Sequence, residues 1–408
     1  MKYSYISISI SAILFTGIIL LFLFNKPSTP QPITITPKIT KSTETQTPSI
    51  TPSKSSVSAG KTPLIPFHLP SGFTIRVFAD NLGNPRDMVF SPGGTLLVSN
   101  PGTNQVFALP DKNKDGVSDG KKVIITGENH VHGLAFYNNK LYIADVDKVV
   151  RYNWDENSVT ATKDKVLFSL PENNDHNNRT ITFTSSGQMF VSVGSTCNVC
   201  TETPEQGGSI YISDVDGNNP HIFASGLRNA AFTVINPNTG DLWGTEMGRD
   251  YLGDNLPPDE INIIQERKNY GWPICYGNKI QDTNFDKKQY FRDPCIDTIA
   301  PIYEIPAHSA PLGLTFIKSL QFPKDWQGDL LVAYHGDWNR STPIGFEVVH
   351  LKVNNNTITS SEDFLTGFLL GNTKESSAGR PVDVLFDSQG SLYVSDDKAG
   401  NIYIIQKG

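Results

Sequence analysis

The sequence of 408 residues has almost no stretch in which apolar residues recur with the spacing of an amphipathic helix. This near absence argues against a helical fold. Short apolar runs are frequent instead, among them TLLVSN, KLYIAD, QMFVSV, DLLVAY and SLYVSD, and Gly, Asn and Asp separate them. Runs of this length between turn-forming residues are typical of strands. The pattern predicts an all-β protein.

The sequence also lacks an excess of basic residues. Its formal net charge is -7 at neutral pH, so nucleic acid is not an expected partner. A chain of this length can form two average domains, but all-β folds often reach it as one unit. The class of ligand therefore has to be inferred from the arrangement of particular side chains.

Cysteine is scarce, with four residues at Cys197, Cys200, Cys275 and Cys295. An even number of cysteines fits an exported protein with two disulfides. Three pairings are possible, and we favour the two local ones, 197 with 200 and 275 with 295, because each would hold a loop in place. A zinc site made from all four thiolates is the alternative, but the spacing of a zinc ribbon is missing.

The N-terminus carries the one long apolar run. It extends over residues 6–24 behind Lys2 and is long enough to cross a bilayer. No clear cleavage site follows it, so both an uncleaved anchor and a removed signal peptide are open. Residues 26–66 are rich in Thr, Pro and Ser, which is typical of a disordered linker. We expect an anchor or signal segment at 1–25, a linker at 26–66 and a folded domain at 67–408. We also expect this domain to lie outside the cytoplasm and to be held at the membrane by the N-terminal segment.

The folded part contains six similar segments. They begin at Asn84, His130, Asn178, Leu227, Ala310 and Gly379. Each has a polar opening, two apolar strands joined by a Gly or Asn turn, and a third strand. Repeats of this length predict the four-stranded blades of a six-bladed β-propeller. The strand FTIRVFA near Phe73 is expected to complete the last blade and close the ring.

In a propeller, the loops leading into the innermost strands and those leaving the second strands lie at one end of the axis. The first group contains Arg86, His130, His132, His176, Arg179, Arg228, Asn229, His308 and Arg380. The second contains Asn100, Asp145, Ser195, Thr196, the 246–260 loop, residues 335–340, Asp396 and Asp397. Arginine suits a ligand with several carboxylates, and acids with backbone carbonyls suit Ca²⁺.

Several motifs carry a resemblance to a known family when their order is considered. They are a His three residues before an Arg, then VGSTCNVC, GLRN, GDNLPPDEIN, NYGWP, HSAPLGL, YHGDWNR and GRPVDV. In this order they resemble the glucose/sorbosone dehydrogenase family, and CNVC is closer to its sorbosone-type branch. The resemblance implies a six-bladed propeller that uses pyrroloquinoline quinone (PQQ) and Ca²⁺. It further implies oxidation of an aldose or related sugar aldehyde, with a hydride passing to the quinone and an external acceptor, a quinone or cytochrome, receiving the electrons.

The resemblance also implies roles for individual residues. His176 resembles the general base, and Arg228 with Asn229 resembles the pair beside the quinone oxygens. Gly248 and Arg249 stand where backbone carbonyls bind the Ca²⁺ that polarises the quinone. Further cofactor contacts are implied at His132, Arg340 and Arg380.

Some positions depart from the family pattern. Ser195 and Thr196 stand where glucose-oxidising members have a Gln, His132 stands near another such Gln, and Val382 replaces a second Arg. A separate run, DKNKDGVSD, has the oxygen spacing of a calcium loop at Asp111, Asn113 and Asp115, but its twelfth position is Lys122. A structural Ca²⁺ and an acidic turn without metal are both open.

Two other functions are compatible with a polar ring on a propeller. One is a Ca²⁺-dependent lactonase, which would need carboxylate or amide side chains aimed at the metal from several blades. The other is a non-catalytic carbohydrate-binding propeller, because a fold alone does not determine a function.

Overall fold

The computed structural model describes residues 60–172, 175–202 and 206–408. The predicted anchor at 1–25 and the first part of the predicted linker, 26–59, lie outside the described residues. Within the described ranges, helical structure is limited to three 3₁₀ turns, Pro101–Thr103, Lys324–Trp326 and Lys374–Ser376. No helix of this part of the chain is long and apolar enough to cross a membrane.

Six four-stranded antiparallel sheets form the domain. The strands of the first three blades are Met88–Phe90 (β2), Leu96–Asn100 (β3), Gln105–Leu109 (β4) and Lys122–Thr126 (β5); Gly133–Tyr137 (β6), Lys140–Ala144 (β7), Lys148–Asp155 (β8) and Thr160–Ser169 (β9); and Ile181–Phe183 (β10), Met189–Val193 (β11), Ser209–Ser213 (β12) and His221–Ser225 (β13). In each sheet the strands are neighbours in chain order.

The last three blades carry the insertions. Their strands are Thr233–Ile235 (β14), Leu242–Glu246 (β15), Asp259–Ile264 (β16) and Tyr303–Ile305 (β19); Pro311–Phe316 (β20), Leu330–Tyr334 (β21), Glu347–Asn354 (β22) and Thr357–Leu365 (β23); and Pro381–Phe386 (β24), Leu392–Asp396 (β25), Asn401–Lys407 (β26) and Phe73–Ala79 (β1). A small hairpin, Cys275–Tyr276 (β17) with Ile280–Gln281 (β18), lies in the insertion of the fourth blade.

The first strands of the blades close a ring. β2, β6, β10, β14, β20 and β24 each contact the next, and β24 contacts β2. Strand β1 pairs with the C-terminal strand β26, from Phe73 opposite Lys407 to Ala79 opposite Ile402. The six-bladed propeller and the closing strand expected from the sequence are therefore confirmed. Before β1, Lys61 O accepts a hydrogen bond from Val77 N (3.0 Å), and Ile65 packs against the core.

The apolar runs of the sequence are buried because both faces of each blade pack against a neighbour. One apolar cluster fills each of the six interfaces between blades. In β3, Leu96 and Val98 belong to the cluster shared with the sixth blade, whereas Leu97 belongs to the cluster shared with the second. This follows from the alternation of side chains along a strand.

Both local disulfides are present, Cys197 with Cys200 and Cys275 with Cys295. The favoured pairing is confirmed, and the alternative zinc site of four thiolates is wrong because the sulfur atoms are bonded to one another. The first disulfide closes a short loop after β11. The second spans the insertion of the fourth blade.

Candidate active site

One end of the ring carries the loops that lead into the first strands and those that join the second strand of a blade to the third. Hydrogen bonds connect these loops across blades. Ser195 N of the third blade donates to Arg228 O before the fourth (2.8 Å). Asn339 Nδ2 of the fifth blade donates to Asp250 Oδ1 of the fourth (3.0 Å). Polar groups from different blades thus meet here.

His176 is held by the loop that follows β11. Its Nδ1 lies 2.9 Å from Ser195 Oγ and 3.2 Å from Ser195 O. The Ser195 hydroxyl donates its own proton to Cys197 O (2.7 Å), and a carbonyl oxygen can only accept. Nδ1 must therefore carry the ring proton, which leaves the lone pair on Nε2. Burial, together with the charge of Arg228, lowers the pKa of His176 to about 4, so the ring is neutral near pH 7.

A glycine allows this arrangement. A Cβ on Gly194 would lie 2.4 Å from His176 Cβ, which is closer than side chains can approach, and at a tight 3.1 Å from Asn229 Oδ1. Asn229 is buried, and its Nδ2 faces Met247 Sδ at 3.5 Å. His176 and Asn229, both predicted site residues, therefore meet on either side of one backbone position.

Arg228 is 4% exposed and has an acceptor for each of its five N–H groups. Nε donates to Asn198 O (2.8 Å), and Nη2 donates to Asn198 Oδ1 (2.9 Å) and Asp250 Oδ2 (3.3 Å). Nη1 donates to Met247 O (3.3 Å) and Gly248 O (2.9 Å). Burial lowers its pKa below the usual value, while Asp250 acts in the opposite direction. The guanidinium is thus fixed in one orientation.

The segment proposed to hold Ca²⁺ is anchored from two sides. Gly248 N donates to Asp259 Oδ1 (2.9 Å), while Asp259 Oδ2 accepts from Ala310 N (2.8 Å). The side chain of Arg249 pairs with Asp282, with Nε 2.5 Å from Oδ2 and Nη2 3.1 Å from Oδ1. The guanidinium of Arg249 is therefore occupied in the insertion, and its backbone carbonyl is the group that remains for a metal.

Arg340 and Arg380 bind loop carbonyls. Arg340 Nη1 donates to Asp254 O (2.7 Å) and Ala307 O (3.1 Å). Arg380 Nε donates to His335 O (3.0 Å) and its Nη2 donates to Gly336 O. Burial lowers the pKa of Arg380, and Asp397 opposes this effect.

An ion cluster between the fifth, sixth and first blades was not singled out as a site from the sequence. Asp397 accepts from Arg86 Nη1 (2.6 Å) and contacts His335 Nε2 (3.0 Å). Burial would raise the pKa of Asp397, but His335 and Arg86 outweigh it and lower this pKa below its ordinary value. Arg86 Nε is buried and has no hydrogen-bond partner among the described residues.

His132 lies deeper than expected of a residue on the cofactor surface. Its ring is fully buried, with Nδ1 2.8 Å from Arg179 O and an edge-on contact to Phe232 at 5.6 Å. Burial and the charge of Arg86 lower its pKa well below the ordinary value. Contact between His132 and a cofactor stays a prediction.

The Asp111 loop joins the third and fourth strands of the first blade, β4 and β5. Asp111 accepts hydrogen bonds from Asp115 N (3.2 Å) and Gly116 N (2.9 Å). Asn113 Oδ1 accepts from Asp115 N (3.3 Å), and Asp115 Oδ1 from Val117 N (2.9 Å). The oxygens therefore already satisfy the backbone of their own turn, and metal binding there stays a prediction.

Comparison with known proteins identifies the family. The sequence profile of the TrAA12-like family matches residues 67–408. The chain belongs to the TrAA12-like family. Its membership among PQQ-dependent sugar dehydrogenase-like propellers, expected from the ordered motifs, is thereby confirmed.

Relatives of this TrAA12-like chain include one without an assigned activity. An uncharacterized protein of Borreliella burgdorferi is 32% identical over 82% of this chain and 89% of its own length. The PQQ-dependent pyranose dehydrogenase of Coprinopsis cinerea is 23% identical over 85% of this chain, which spans 55% of that enzyme. A solved structure of the carbohydrate-active enzyme family AA12 from Trichoderma reesei has a TM-score of 0.74 at 23% identity, covering 85% of this chain and 98% of that one.

In this TrAA12-like protein, the cations that a cofactor carboxylate could contact share their pocket with acids. The pocket, of about 420 Å³, opens beside the ion cluster and is lined by the cations Lys374, Arg380 and Lys398 and by the acids Asp337, Glu375 and Asp397. The unpaired buried Nε of Arg86 is a donor that a carboxylate or a water molecule could satisfy. Val382, which replaces a second Arg of the family pattern, is fully buried in the apolar cluster between the fourth and fifth blades. One cofactor contact of the family pattern therefore has no counterpart at this position.

Proposed function

We propose that this protein is a PQQ-dependent dehydrogenase that oxidises the hydroxyl of an aldose or of a related sugar aldehyde hydrate. The observation that carries the proposal is His176, a neutral imidazole held through Nδ1 next to the buried guanidinium of Arg228. Two PQQ-dependent dehydrogenases among its relatives support the choice of cofactor, and these enzymes together with an aldose sugar dehydrogenase of Escherichia coli support the substrate class.

Oxidation at the anomeric carbon of an aldose removes two electrons and two protons and converts the C1–OH group into a lactone carbonyl. His176 accepts the hydroxyl proton at Nε2, because its other nitrogen is engaged with Ser195. Bound PQQ supplies the acceptor for the two electrons, which an external quinone or cytochrome then receives. The low pKa of His176 keeps the base unprotonated before substrate binds.

The cofactor would be held from several blades. Arg228 and Asn229 would face its quinone oxygens, where fixed positive charge and donors stabilise developing negative charge. Arg380 and Arg340 would face its carboxylates, and His132 would stand behind the ring. Arg86, beside Arg380, adds a further cation.

Ca²⁺ would bind the carbonyl oxygens of Gly248 and Arg249. The Gly248 oxygen accepts one hydrogen bond, from Arg228 (2.9 Å), so Ca²⁺ would bind through its second lone pair. Backbone carbonyls are among the oxygen ligands that Ca²⁺ prefers. The Asp111 loop is a second, structural candidate for Ca²⁺.

The sugar would enter beside two exposed aromatic residues. Tyr251 is 70% and Trp338 52% exposed, and their rings meet edge-on at 5.8 Å. Both flank contacts of the site, since Asp250 binds Arg228 and Asn339 binds Asp250. Tyr251 also has a φ of 68°, a conformation unusual for a bulky residue and often associated with functional loops. Such rings offer a flat apolar surface with polar edges.

The protein would act outside the cytoplasm. The long apolar run near the N-terminus supports an anchor in the membrane, and the two disulfides suit an oxidising compartment. An acceptor in or near the membrane would then be within reach of the propeller.

Reconstitution tests the proposal. Purified protein is loaded with PQQ and CaCl₂ and supplied with a panel of aldoses and an artificial electron acceptor. We expect reduction of the acceptor that depends on PQQ and on the sugar, and an absorbance change of the bound quinone when sugar is added. Failure to bind PQQ would overturn the proposal. Lactone hydrolysis without PQQ, or tight sugar binding without turnover, would favour one of the two other functions.

A further inference from the structure

The loop closed by the Cys197–Cys200 disulfide reaches across a blade boundary to Arg228. It follows β11 in the third blade, whereas Arg228 precedes the fourth. We infer that Asn198, held by this disulfide, is a positioning residue that fixes the orientation of Arg228. The effect of Asn198 on catalysis rests on the proposed function, whereas its contacts with Arg228 do not.

Asn198 provides two of the five hydrogen bonds of the guanidinium. Its backbone oxygen accepts from Arg228 Nε (2.8 Å) and its Oδ1 accepts from Arg228 Nη2 (2.9 Å). Nε and Nη2 form one edge of the planar guanidinium, so a residue that binds both sets the rotation of the group. The opposite edge is then directed at the carbonyls of Met247 and Gly248.

The same amide also holds the segment proposed to carry the metal. Asn198 Oδ1 accepts a second hydrogen bond, from Asp250 N (2.9 Å), and Asn198 Nδ2 lies 3.4 Å from Asp250 O. Asp250 in turn contacts Arg228 through its carboxylate (3.3 Å). Asn198, Arg228 and Asp250 thus form a closed triangle in which each residue contacts the other two.

The disulfide keeps Asn198 in this triangle. Cys197 and Cys200 flank it, so the backbone around Asn198 is confined to a small ring. Glu202 gives further support by accepting from Thr196 N (2.7 Å). Cys197, Cys200 and Glu202 are near enough to one another to suggest a metal site, but the sulfur atoms are bonded together and the cluster instead forms the base of the loop.

The loop positions the proposed base as well. Ser195, which contacts His176 Nδ1, donates to Cys197 O (2.7 Å). One short loop therefore holds His176 through its first residues and Arg228 through Asn198. Supporting contacts of this kind orient the groups that touch a ligand, and their loss typically costs 10-fold to 100-fold in affinity or activity.

The test compares Asn198→Ala with Asn198→Asp, which keeps an acceptor toward Arg228 and Asp250. We expect Asn198→Ala to weaken PQQ binding about tenfold and to lower kcat about tenfold, with little change in the KM for sugar. We expect Asn198→Asp to recover most of the loss in PQQ affinity. Asn157→Ala, in an exposed turn of the second blade, is the matched control. Equal PQQ affinity and kcat in wild type and Asn198→Ala would overturn the inference.

A double-mutant cycle tests the role of the disulfide. Cys197→Ser/Cys200→Ser should weaken PQQ binding in the same direction, and adding Asn198→Ala should weaken it little further, because both changes act through one contact. If the two changes instead weaken PQQ binding by independent factors that multiply, the disulfide does not act through Asn198. Melting curves without PQQ identify any variant that is simply unfolded.

A measurement without cofactor separates this inference from the proposed function. In apoprotein labelled with ¹⁵N-arginine, the Nε–H of Arg228, assigned with Arg228→Lys, should exchange with solvent at least tenfold faster in the variant without the disulfide than in wild type. In Asn198→Ala, which keeps the backbone oxygen that binds Nε, the exchange should accelerate by a smaller factor. Unchanged exchange would refute the positioning role even if wild type binds PQQ. If wild type fails to bind PQQ but the exchange accelerates, the proposed function fails and the positioning role stands.

Discussion

At the scale of single residues, the candidate site places a neutral imidazole near a buried cation, and burial together with this cation lowers the pKa of the imidazole. The charge of Arg228 helps to keep His176 unprotonated, while Ser195 fixes which nitrogen of the ring accepts a proton. A general base contributes about 10² to 10⁴ in rate. In the proposed function, Nε2 of His176 is the atom that would provide this factor.

His176→Gln should therefore lower kcat by at least about 10²-fold, because the amide cannot take up the hydroxyl proton. PQQ binding should change by less than about threefold, since the cationic contacts to the cofactor remain. Steady-state kinetics and quinone absorbance measure the two quantities. His221→Gln, an exposed histidine on β13, is the control. A variant that keeps more than a tenth of the activity would remove His176 from the role of base.

The pH dependence follows from the pKa of about 4 for His176. Only the neutral ring accepts a proton, so kcat/KM should be level from about pH 8 to pH 5 and fall as pH drops through 4. A histidine with its ordinary pKa near 6.5 would instead lose activity below about pH 7. Rates measured from pH 4 to 8, with folding checked by circular dichroism at each pH, distinguish the two. A fall in kcat/KM with its midpoint near pH 6.5 would show that the pKa of His176 is not lowered.

The exposed aromatic pair gives a prediction about substrate binding. Trp338→Ala should raise the KM for sugar about fivefold and leave kcat within about twofold, since aromatic contacts of this kind contribute about 1 kcal/mol. Phe291→Ala serves as the control, because Phe291 is an aromatic residue that is more exposed than Trp338 and lies in the insertion of the fourth blade. If both variants behave alike, Trp338 does not touch the sugar.

At the scale of elements, the ring is completed by strands from the two ends of the described domain. β1 covers the edge of β26 along its length and places Val77 and Phe78 in two different inter-blade clusters. Each buried apolar side chain of this size contributes about 1.5–3 kcal/mol, whereas a whole domain is stable by only about 5–15 kcal/mol. The loss of this single strand therefore threatens the whole fold.

A chain that begins at residue 80 should fail to unfold cooperatively, whereas one that begins at residue 60 should melt as a folded protein. The second chain is the control for truncation itself, since it keeps β1 and the contact of Lys61 with Val77. Thermal melts followed by circular dichroism, with gel filtration, make the comparison. Two chains with the same melting temperature would show that the sixth blade closes without β1.

The sequence allowed the elements to be predicted better than the contacts between them. Six copies of one strand pattern indicate six sheets, because burial of both faces produces short unbroken apolar runs such as the one in TLLVSN. Nothing in that pattern shows which way a polar side chain turns at the end of a strand. His132 and His176 both stand before a first strand, yet the ring of His132 is fully buried, whereas His176 is partly exposed and contacts Ser195.

The contacts of Arg228 could not be predicted from the sequence either. The CNVC motif indicates a disulfide. The contact between Asn198 and Arg228, however, forms only because the third blade packs beside the fourth. The pair of Arg86 with Asp397 joins residues 311 positions apart in the chain. Such pairs depend on ring closure and cannot be read from local spacing.

At the scale of the whole molecule, a ligand on the axis would join blades that otherwise meet mainly through apolar clusters. Arg228, Arg340 and Arg380 come from three blades, so a cofactor that contacts all three stabilises the ring as a unit. At a concentration 100 times its Kd, a ligand adds about 2.7 kcal/mol. For a domain of this size that corresponds to a rise in Tm of about 4 °C.

We therefore expect PQQ with Ca²⁺ to raise the Tm by about 4 °C, and chelation of Ca²⁺ with EDTA to remove most of this rise, because the carbonyls of Gly248 and Arg249 would lose the ion they share with the cofactor. Calorimetry or fluorescence melts measure the shift. The doubly substituted Asp111→Asn/Asp115→Asn separates the two candidate calcium sites. It should keep the rise caused by PQQ with Ca²⁺, and it should lose any stabilisation by Ca²⁺ alone if the Asp111 loop binds metal. A PQQ-dependent rise that is indifferent to EDTA would exclude Ca²⁺ from the cofactor site.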